Sequence, residues 1–370
     1  MGGRQKRGEK LAFFAEALEG ICSRCLVLPG TPLRCAIIAN PGAGGFTIPF
    51  RWRRHEAALK QALADAGKNR ERPEVRAAAS FPGALAVTAG AGSAAAFTRT
   101  LLAEAARDAG SVFLVITAGG DGTALEVMET LFPERAFHSR FVVLRLPMGT
   151  GNDGADALKL EDALRLLTGP TKTETARAVR LVAASGKNRG RPFLAFNILS
   201  VGLDAFVTHM TNRMKGKFPG DSYKLWVDIA SLLYDRIYRV APMELAAWDK
   251  NGNETMRLRE KLLLCAVGAG GHRTYGAQKR ILPDDRNVCT IKQMPLLRKI
   301  AFRELFDAGT HVDKPEAVLF NAERVTLGGI HPVLAQMDGE AVLLTPEDFP
   351  VTIELTEPAI QILRGLTAAR

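Results

Sequence analysis

The sequence lacks any apolar run of the about 18–20 residues that a membrane-spanning helix needs. Near its first residue it also lacks the apolar core of a signal peptide, and Lys6 stands where a myristoylation site has Ser or Thr. These absences argue against a membrane-spanning or secreted protein. We therefore expect a cytoplasmic protein, and peripheral attachment to the inner membrane surface stays open.

Cysteine is scarce: the chain has 5, at positions 22, 25, 35, 265 and 289. The odd number and the wide spacing argue against a disulfide framework and for a reducing compartment. Cys22 and Cys25 form a CxxC pair, but no second pair of Cys or His residues lies near it in the sequence. Neither a zinc site nor a thioredoxin-like redox motif is predicted.

Acidic residues are outnumbered by basic ones, 39 to 49, which gives a formal net charge of +10. Such an excess favours an acidic partner: a nucleic acid, an anionic membrane surface or a phosphate-rich substrate. Simple solubility is the plainer explanation. The sequence shows neither a helix-turn-helix pattern nor basic residues interleaved with aromatic ones. Binding to nucleic acid is therefore not expected.

A chain of 370 residues is too long for one ordinary hydrophobic core, so we expect two domains. In the first half, apolar runs predict strands over 33–39, 84–88, 112–116 and 141–146. Helical spacing predicts helices over 10–22, 54–66, 93–108, 124–131 and 161–167. Strands and helices that alternate in this way form a parallel sheet with helices on both faces, so the predicted fold class of this half is α/β.

Glycine-rich loops follow three of these strands, at 40–45, 119–123 and 147–153. The second loop, Gly-Gly-Asp-Gly-Thr, joins a buried strand to a helix. Because ligands bind at the carboxyl ends of parallel strands and helix N-termini attract phosphate, the loops predict a nucleotide phosphate site. A plain tight turn is the alternative for the second loop taken alone.

The second half predicts short strands without regular helices between them, at 180–184, 193–201, 243–248, 261–267, 288–293, 324–327, 333–337 and 351–355. This pattern is typical of a mainly antiparallel β-sandwich. One helix, predicted over 223–238, has an apolar face that either packs in the core or lines an apolar ligand cleft.

The predicted divisions of the chain are four: an N-terminal basic and helical extension (1–32), a nucleotide-binding α/β domain (33–169), a β-sandwich domain (170–347) and a C-terminal segment (348–370). A return of the C-terminal segment to the first domain stays open.

Several motifs follow one another in an order that carries a resemblance. The loops at 40–45, 119–123 and 147–153 are followed by the segment 196–205 and by Asp-Gly-Glu at 338–340. In this order they resemble the diacylglycerol kinase catalytic-domain family, which includes sphingosine and ceramide kinases and bacterial lipid kinases. Gly-Gly-Asp-Gly-Thr alone also occurs in NAD kinases and phosphofructokinases, so the order is more specific than any single motif.

The resemblance implies an α/β domain of the NAD kinase and diacylglycerol kinase type, a β-sandwich domain and an ATP site in the cleft between them. It also implies transfer of the γ-phosphoryl group of ATP to a lipid hydroxyl, with Mg²⁺ as cofactor. The implied partners are ATP, a lipid alcohol and an anionic membrane surface, and a homodimer stays open.

The resemblance also assigns site residues. It implies nucleotide contacts by Asn40, Pro41, Gly42, Ala43, Gly44, Thr88, Gly119, Gly120, Asp121, Gly122, Thr123, Glu126, Gly149, Thr150, Asn152 and Asp153. Asp121 is expected to organise Mg²⁺ or to orient the acceptor hydroxyl. The general base is expected in Asp-Gly-Glu, where Asp338 is the first candidate and Glu340 supports or replaces it.

Three features depart from the family's pattern. Ala43 stands where many relatives have Ser or Thr, and Leu125 precedes Glu126 where most relatives have Asn or His. Many bacterial members also bind a structural Mg²⁺, but the corresponding segment 282–287 is shortened and lacks Asp-Gly. Asp285 is the remaining candidate ligand for that metal.

Several candidate residues have a plainer explanation. The pair 338–339 can be an ordinary hairpin turn, and Asn152 and Asp153 can cap a helix that starts near residue 154. Asn197 and Asp204 can be buried, hydrogen-bonded scaffold.

Basic clusters at 51–54, 187–191 and 213–217 are either solvated faces or contacts for anionic lipid headgroups. Phe50, Trp52 and Phe218 lie beside two of these clusters and could serve as interfacial anchors.

Three functions follow from these observations. The first is a kinase that phosphorylates diacylglycerol or a related lipid alcohol, which the loop at 147–153 and the late Asp-Gly-Glu favour. The second is an NAD kinase-like phosphotransferase. The third is a non-catalytic relative that binds nucleotide or lipid, and Ala43 and Leu125 keep it open.

Overall fold

The computed structural model describes residues 2–81, 84–214, 234–276 and 278–366. The chain divides into two compact units: unit 1 comprises residues 1–176 and 358–370, and unit 2 comprises residues 177–357. Within the described ranges, no helix combines the length and the apolar character needed to cross a membrane. The predicted helix over 223–238 lies outside the described residues as far as residue 233, as does most of the basic cluster at 213–217.

The helices are α1 (Gly2–Cys22), α2 (Gly44–Thr47), α3 (Pro49–Ala66), α4 (Ser93–Arg107), α5 (Asp121–Leu131), α6 (Leu160–Thr168), α7 (Leu203–Met214), α8 (Tyr234–Ile237) and α9 (Leu296–Ala308). The strands are β1 (Leu33–Ala39), β2 (Val75–Ala77), β3 (Leu85–Val87), β4 (Val112–Gly119), β5 (Phe141–Pro147), β6 (Thr171–Ala176), β7 (Val179–Ala183), β8 (Phe193–Ala195), β9 (Ile198–Gly202), β10 (Pro242–Trp248), β11 (Glu254–Gly268), β12 (Arg273–Tyr275), β13 (Lys279–Leu282), β14 (Val288–Lys292), β15 (Ala317–Phe320), β16 (Arg324–Gly328), β17 (Val333–Met337), β18 (Glu340–Leu344), β19 (Val351–Leu355) and β20 (Ile360–Gly365). Short 3₁₀ helices lie at Arg135–Arg140, His311–Asp313 and Pro346–Asp348.

Unit 1 is built on a seven-stranded sheet. The central strands β1, β4, β5 and β20 are parallel neighbours, and β2 and β3 pair one after the other with the free edge of β1. Strand β6 closes the opposite edge and is antiparallel to β20. The prediction of an α/β fold with a mostly parallel sheet is confirmed.

Side chains that alternate along the central strands build the two faces of this sheet. On one face Leu33 of β1 and Leu114 of β4 share a core with α1, α3 and α6, and Phe14 and Leu18 of α1 are fully buried in it. On the other face Phe113 of β4 stacks on Phe141 of β5, with 5.1 Å between the two ring centroids. Helices α4 and α5 contact each other, and α5 also packs on β4.

Among the boundaries in unit 1 that differ from the sequence prediction, the two at the second glycine-rich loop matter most for the site. Strand β4 continues past residue 116 to Gly119, because Ala118 pairs with Ala39 and Gly119 pairs with Pro147 in the neighbouring strands. Helix α5 begins at Asp121 instead of residue 124. Gly120 alone therefore separates the strand from the helix.

Unit 2 is built on an eleven-stranded sheet whose strand ladders are antiparallel. The main path runs β18-β17-β9-β11-β10-β16-β19-β7-β8, and β14 and β15 branch from β11. A separate hairpin joins β12 to β13. The prediction of a mainly antiparallel second domain is confirmed.

The single strand predicted over 193–201 is wrong, because β8 and β9 are separated at Phe196 and Asn197. At the break, the backbone N–H groups of these residues donate to the carboxylate of Asp338 and not to a neighbouring strand. The expectation of one helix is also wrong, because α7 and α9 are regular helices of unit 2.

Candidate functional site

The three glycine-rich loops of unit 1 lie together at the carboxyl edge of β1, β4 and β5. The first loop joins the third where Gly45 N donates to Met148 O at 2.8 Å. The second loop approaches the third so closely that a Cβ on Gly149 would lie 2.5 Å from the Cα of Gly120. A Cβ on Gly119 would meet the Thr123 hydroxyl at 2.4 Å. Packing therefore leaves no room for a side chain at Gly119 and Gly149.

The first loop is shaped by Asn40. Its Oδ1 accepts the N–H of Gly42 at 2.9 Å, and its own N–H donates to Ala118 O at 2.9 Å. Ala43 precedes α2 with an extended backbone and gives that helix no side-chain cap. Ala43 is buried, so the methyl group that stands in place of a hydroxyl contributes packing and no hydrogen bond.

Asp121 is the first residue of α5 and faces the third loop. Its Oδ1 accepts the N–H of Gly154 at 2.9 Å. Burial of the carboxylate raises the pKa of Asp121, and this effect outweighs the hydrogen bonds from the Gly154 and Asp153 backbone and the nearby Arg145, all of which lower it. A buried carboxylate with a raised pKa gains from the approach of a cation.

A second carboxylate lies close to Asp121. A Cβ on Gly151 would be 3.3 Å from Asp121 Oδ2 and 3.1 Å from Asp153 Oδ2, so both oxygens flank the same glycine. Mg²⁺ is usually held by one or two carboxylates together with substrate phosphates and water. The pair Asp121 and Asp153 fits this requirement, and a larger protein cage is not needed.

The other predicted metal ligand is placed differently. The Asp285 side chain is 98% exposed, and its Oδ1 lies 3.0 Å from Nε2 of His272. Among the residues that the structure describes, no group of three or more His, Cys, Asp or Glu side chains is arranged to hold a metal ion. The described residues therefore form no protein cage around Asp285.

Hydrogen bonds hold the third loop at Asn152 and, just beyond its last residue, at Asp156. Asn152 has a left-handed backbone (φ 59°) and donates from Nδ2 to Gly149 O at 3.2 Å. Its buried Oδ1 has no hydrogen-bond partner among the described residues. The alternative that Asn152 and Asp153 cap a helix is wrong, because the next helix begins at Leu160.

Asp156 fixes the end of the third loop to the sheet. Its buried carboxylate accepts the N–H of Arg145 at 2.8 Å and the guanidinium Nη2 of the same residue at 2.7 Å. Arg364 of β20 donates to Asp156 Oδ1 at 3.3 Å. Sequence reasoning missed this pair of arginines, because β20 reaches the loop only through its non-local pairing with β5.

Glu126, another predicted nucleotide contact, binds the start of α4. Its carboxylate accepts the N–H groups of Gly92 at 2.7 Å, Ala94 at 3.0 Å and Ala95 at 3.3 Å. It therefore caps the N-terminus of α4, where helical N–H groups lack partners of their own. Leu125 is buried, which explains why an apolar residue is accepted at this position.

In unit 2, Asp338 lies in the two-residue turn between β17 and β18, with φ values of 44° for Asp338 and 96° for Gly339. The hairpin-turn explanation is therefore correct for its backbone. The side chain has a further role, because its carboxylate accepts the N–H groups of Phe196 at 2.5 Å and Ile198 at 2.9 Å and also that of Asn197. These bonds hold the break between β8 and β9.

The neighbours of Asp338 support the same hairpin. Gly339 N donates to Gln336 Oε1 at 3.0 Å, and Asn212 of α7 donates to Gly339 O at 2.8 Å. Gln336 also donates to Asp204 Oδ2 at 2.9 Å. Asp204 is buried and hydrogen-bonded, as expected for a residue of the scaffold. Glu340, at the start of β18, carries an exposed side chain.

The two aromatic residues suggested as anchors at the basic cluster 51–54 differ in exposure. Trp52 is buried and stacks on Phe46 at 5.8 Å between ring centroids. Phe50 is exposed. Arg51 instead reaches the loops: its Nη1 donates to Gly149 O at 3.3 Å. The sequence contained one clue to this contact, namely the absence of Lys and Arg from the loops themselves.

Part of the chain, including the three glycine-rich loops, matches a known protein family. Residues 34–184 match the family model described as the diacylglycerol kinase catalytic domain, which confirms the resemblance predicted from the motifs. A search of curated proteins gave no significant match.

Three solved structures of Bacillus anthracis str. Sterne proteins have a similar fold. One, provisionally assigned as a diacylglycerol kinase, has a TM-score of 0.57 and 16% identity over 91% of this chain and 98% of its own. A second with the same provisional assignment has a TM-score of 0.54 and 16% identity over 89% and 96%. A diacylglycerol kinase has a TM-score of 0.50 and 13% identity over 89% and 96%. At these identities the likeness shows the fold alone.

Proposed function

We propose that this chain, which carries a diacylglycerol kinase catalytic domain over residues 34–184, transfers the γ-phosphoryl group of ATP to the hydroxyl of diacylglycerol or a related lipid alcohol. The observation that carries the proposal is the meeting of three glycine-rich loops beside two carboxylates, Asp121 and Asp153. Phosphoryl transfer depends mainly on positioning and on neutralising charge; the loops would position the phosphates, and the two carboxylates would hold the cation that neutralises their charge.

In the proposed reaction the loops hold the nucleotide. Their backbone N–H groups, together with those at the start of α5, face the phosphates, because the first turn of a helix has N–H groups without helical partners. Asp121 and Asp153 would hold Mg²⁺, which would neutralise the charge that develops on the phosphate oxygens. Asn152, whose backbone is in the left-handed region, donates from its side chain to Gly149 O within the same loop.

The acceptor alcohol must lose its proton, and we assign this step to Glu340 in preference to Asp338. The Asp338 carboxylate accepts three backbone N–H groups, which occupy the lone pairs that a proton acceptor needs. Glu340 lies two residues further along, at the start of β18, and its side chain is exposed. Asp338 then positions the hairpin from which Glu340 acts.

The test is phosphorylation with radiolabelled ATP of diacylglycerol, sphingosine, ceramide, undecaprenol and NAD, each presented separately, the lipids in mixed micelles. We expect label on a lipid alcohol and a loss of kcat in Glu340→Gln, with the KM for ATP unchanged. Asp338→Asn, which keeps an acceptor oxygen, is expected to lose less.

Label on NAD alone would contradict lipid phosphorylation and favour an NAD kinase-like enzyme. Tight ATP binding without label on any acceptor would favour a non-catalytic nucleotide binder. Full activity of Glu340→Gln would remove the assignment of the general base.

A further inference from the structure

The three loops contain no cationic side chain of their own. Neither Lys nor Arg occurs in 40–50, 119–126 or 147–157, whereas the last two segments together contain Asp121, Glu126, Asp153 and Asp156. A nucleoside triphosphate carries several negative charges, so a site of this composition needs a cation from another element. Arg145 does not meet this need, because its guanidinium is paired with the buried Asp156.

Arg51 of α3 lies where such a cation is needed. Its Nη1 is 3.3 Å from Gly149 O in the third loop and 3.1 Å from the position of a Cβ on Gly44 in the first. The Thr150 hydroxyl lies 3.4 Å from that same position. The guanidinium therefore stands between the first and third loops, beside a threonine that the sequence also assigns to the nucleotide.

Arg51 also keeps most of its donors available. Among the ion pairs formed by described residues, Arg54 of the same helix is bound to Glu161, whereas Arg51 has no carboxylate partner. A guanidinium has five N–H donors, of which the contact with Gly149 O uses one. His55, one turn further along α3, adds no second charge, because burial lowers its pKa and keeps the ring neutral.

We propose that Arg51 binds a phosphate group of the nucleotide and closes the first loop against the third around it. This inference rests on the proposed function for the identity of the ligand, and it adds a residue of α3 to a site otherwise built from loops. The planar guanidinium can donate two parallel hydrogen bonds to a phosphate, which a lysine ammonium cannot reproduce.

The test is calorimetric binding of ATP, ADP, AMP and inorganic tripolyphosphate to Arg51→Ala, Arg51→Lys and the unchanged protein. The matched control is Arg53→Ala, which removes the same charge from an exposed position on the same helix. We expect Arg51→Ala to weaken ATP and tripolyphosphate binding by about 10- to 100-fold, the range of a charge-assisted hydrogen bond, and AMP binding by less. Arg51→Lys should recover part of the loss, and Arg53→Ala should stay within about twofold.

Equal losses for ATP and AMP, or an equal loss in Arg53→Ala, would overturn the proposal in favour of a loop-shaping or general charge effect. If the protein binds ATP but phosphorylates no lipid, only the proposed function is contradicted. The comparison of ATP binding by the Arg51 variants still tests the role of Arg51. Failure of the unchanged protein to bind ATP or tripolyphosphate would overturn both proposals. Urea unfolding of each variant shows whether a loss reflects folding.

Discussion

Asp121 of unit 1 and Asp338 of unit 2 both stand in glycine-containing turns, yet their carboxylates have opposite surroundings. Asp121 is buried next to a second carboxylate, Asp153, and its pKa is raised. Asp338 accepts three backbone N–H groups, from residues 196, 197 and 198. The carboxylate of Asp338 is therefore held by three backbone N–H groups, whereas the hydrogen bonds that Asp121 accepts do not offset its burial, and its pKa stays raised.

Two further acids show how backbone N–H groups satisfy a carboxylate within the fold. Glu126 caps α4 through three N–H groups. Asp348 accepts the N–H of Asn188 at 2.9 Å and that of Thr345 at 2.8 Å. Burial alone would raise the pKa of Asp348, but these hydrogen bonds lower it below its ordinary value. The direction of the pKa shift thus separates Asp121 from an acid that serves as an anchor.

The largest effect is expected for Asp121→Asn. The substitution removes a carboxylate proposed to hold Mg²⁺, so kcat/KM should fall about 1,000-fold, which corresponds to about 4 kcal/mol. The ligand-free protein should melt at a higher temperature at neutral pH, because a poorly solvated charge is gone. Kinetics and calorimetry of the same preparations measure both changes.

A suitable control is Asp162→Asn on α6, whose carboxylate pairs with Arg165 at the surface. It should leave both quantities nearly unchanged. A lower melting temperature in Asp121→Asn would show that Asp121 is an anchor like Asp338, and the contrast between the two residues would disappear.

The next largest effect is expected for Asp338→Ala. It leaves three partly buried N–H groups without an acceptor, so the free energy of unfolding should fall by about 3 kcal/mol. Asp338→Asn retains one acceptor oxygen and should lose about 1 kcal/mol. Urea denaturation at constant m-value checks both numbers. If Asp338→Ala were as stable as the unchanged protein but inactive, the carboxylate would have to act in the chemistry.

The smallest effect concerns pH. Because the pKa of Asp121 is raised in the folded state, the folded protein binds a proton at a higher pH than the unfolded chain does. Ionised Asp121 therefore disfavours folding above that pKa, and the penalty vanishes as the pH falls through it. The difference in melting temperature between Asp121→Asn and the unchanged protein should be constant at neutral pH and shrink as the pH falls through the raised pKa of Asp121 towards the ordinary value of about 3.9. A difference that stays constant as the pH falls from neutrality to about 3.9 would contradict a raised pKa of Asp121.

Local patterns in the sequence predicted the strands and the helix of unit 1 that lie closest to the site. The apolar run 33–39 predicts β1 to the residue, and the Gly-Gly-Asp-Gly-Thr motif predicts the junction of β4 and α5. The ends of that junction shifted because Ala118 and Gly119 extend β4 by pairing with strands on both sides. Pairing of this kind depends on distant residues, so a local window does not contain it.

The amino-acid sequence by itself determined the two classes of sheet, the glycine-rich loops and the resemblance of residues 34–184 to the diacylglycerol kinase catalytic domain, because these follow from periodicity, from small residues at strand ends and from motif order. Tertiary structure alone decided that Glu126 caps α4, that Arg51 reaches Gly149 and that the Asp338 carboxylate spans the break between β8 and β9. The physical reason is the same for all three residues. A charged side chain takes whichever partners the packed backbone leaves unsatisfied, and those partners are fixed only when distant segments come together.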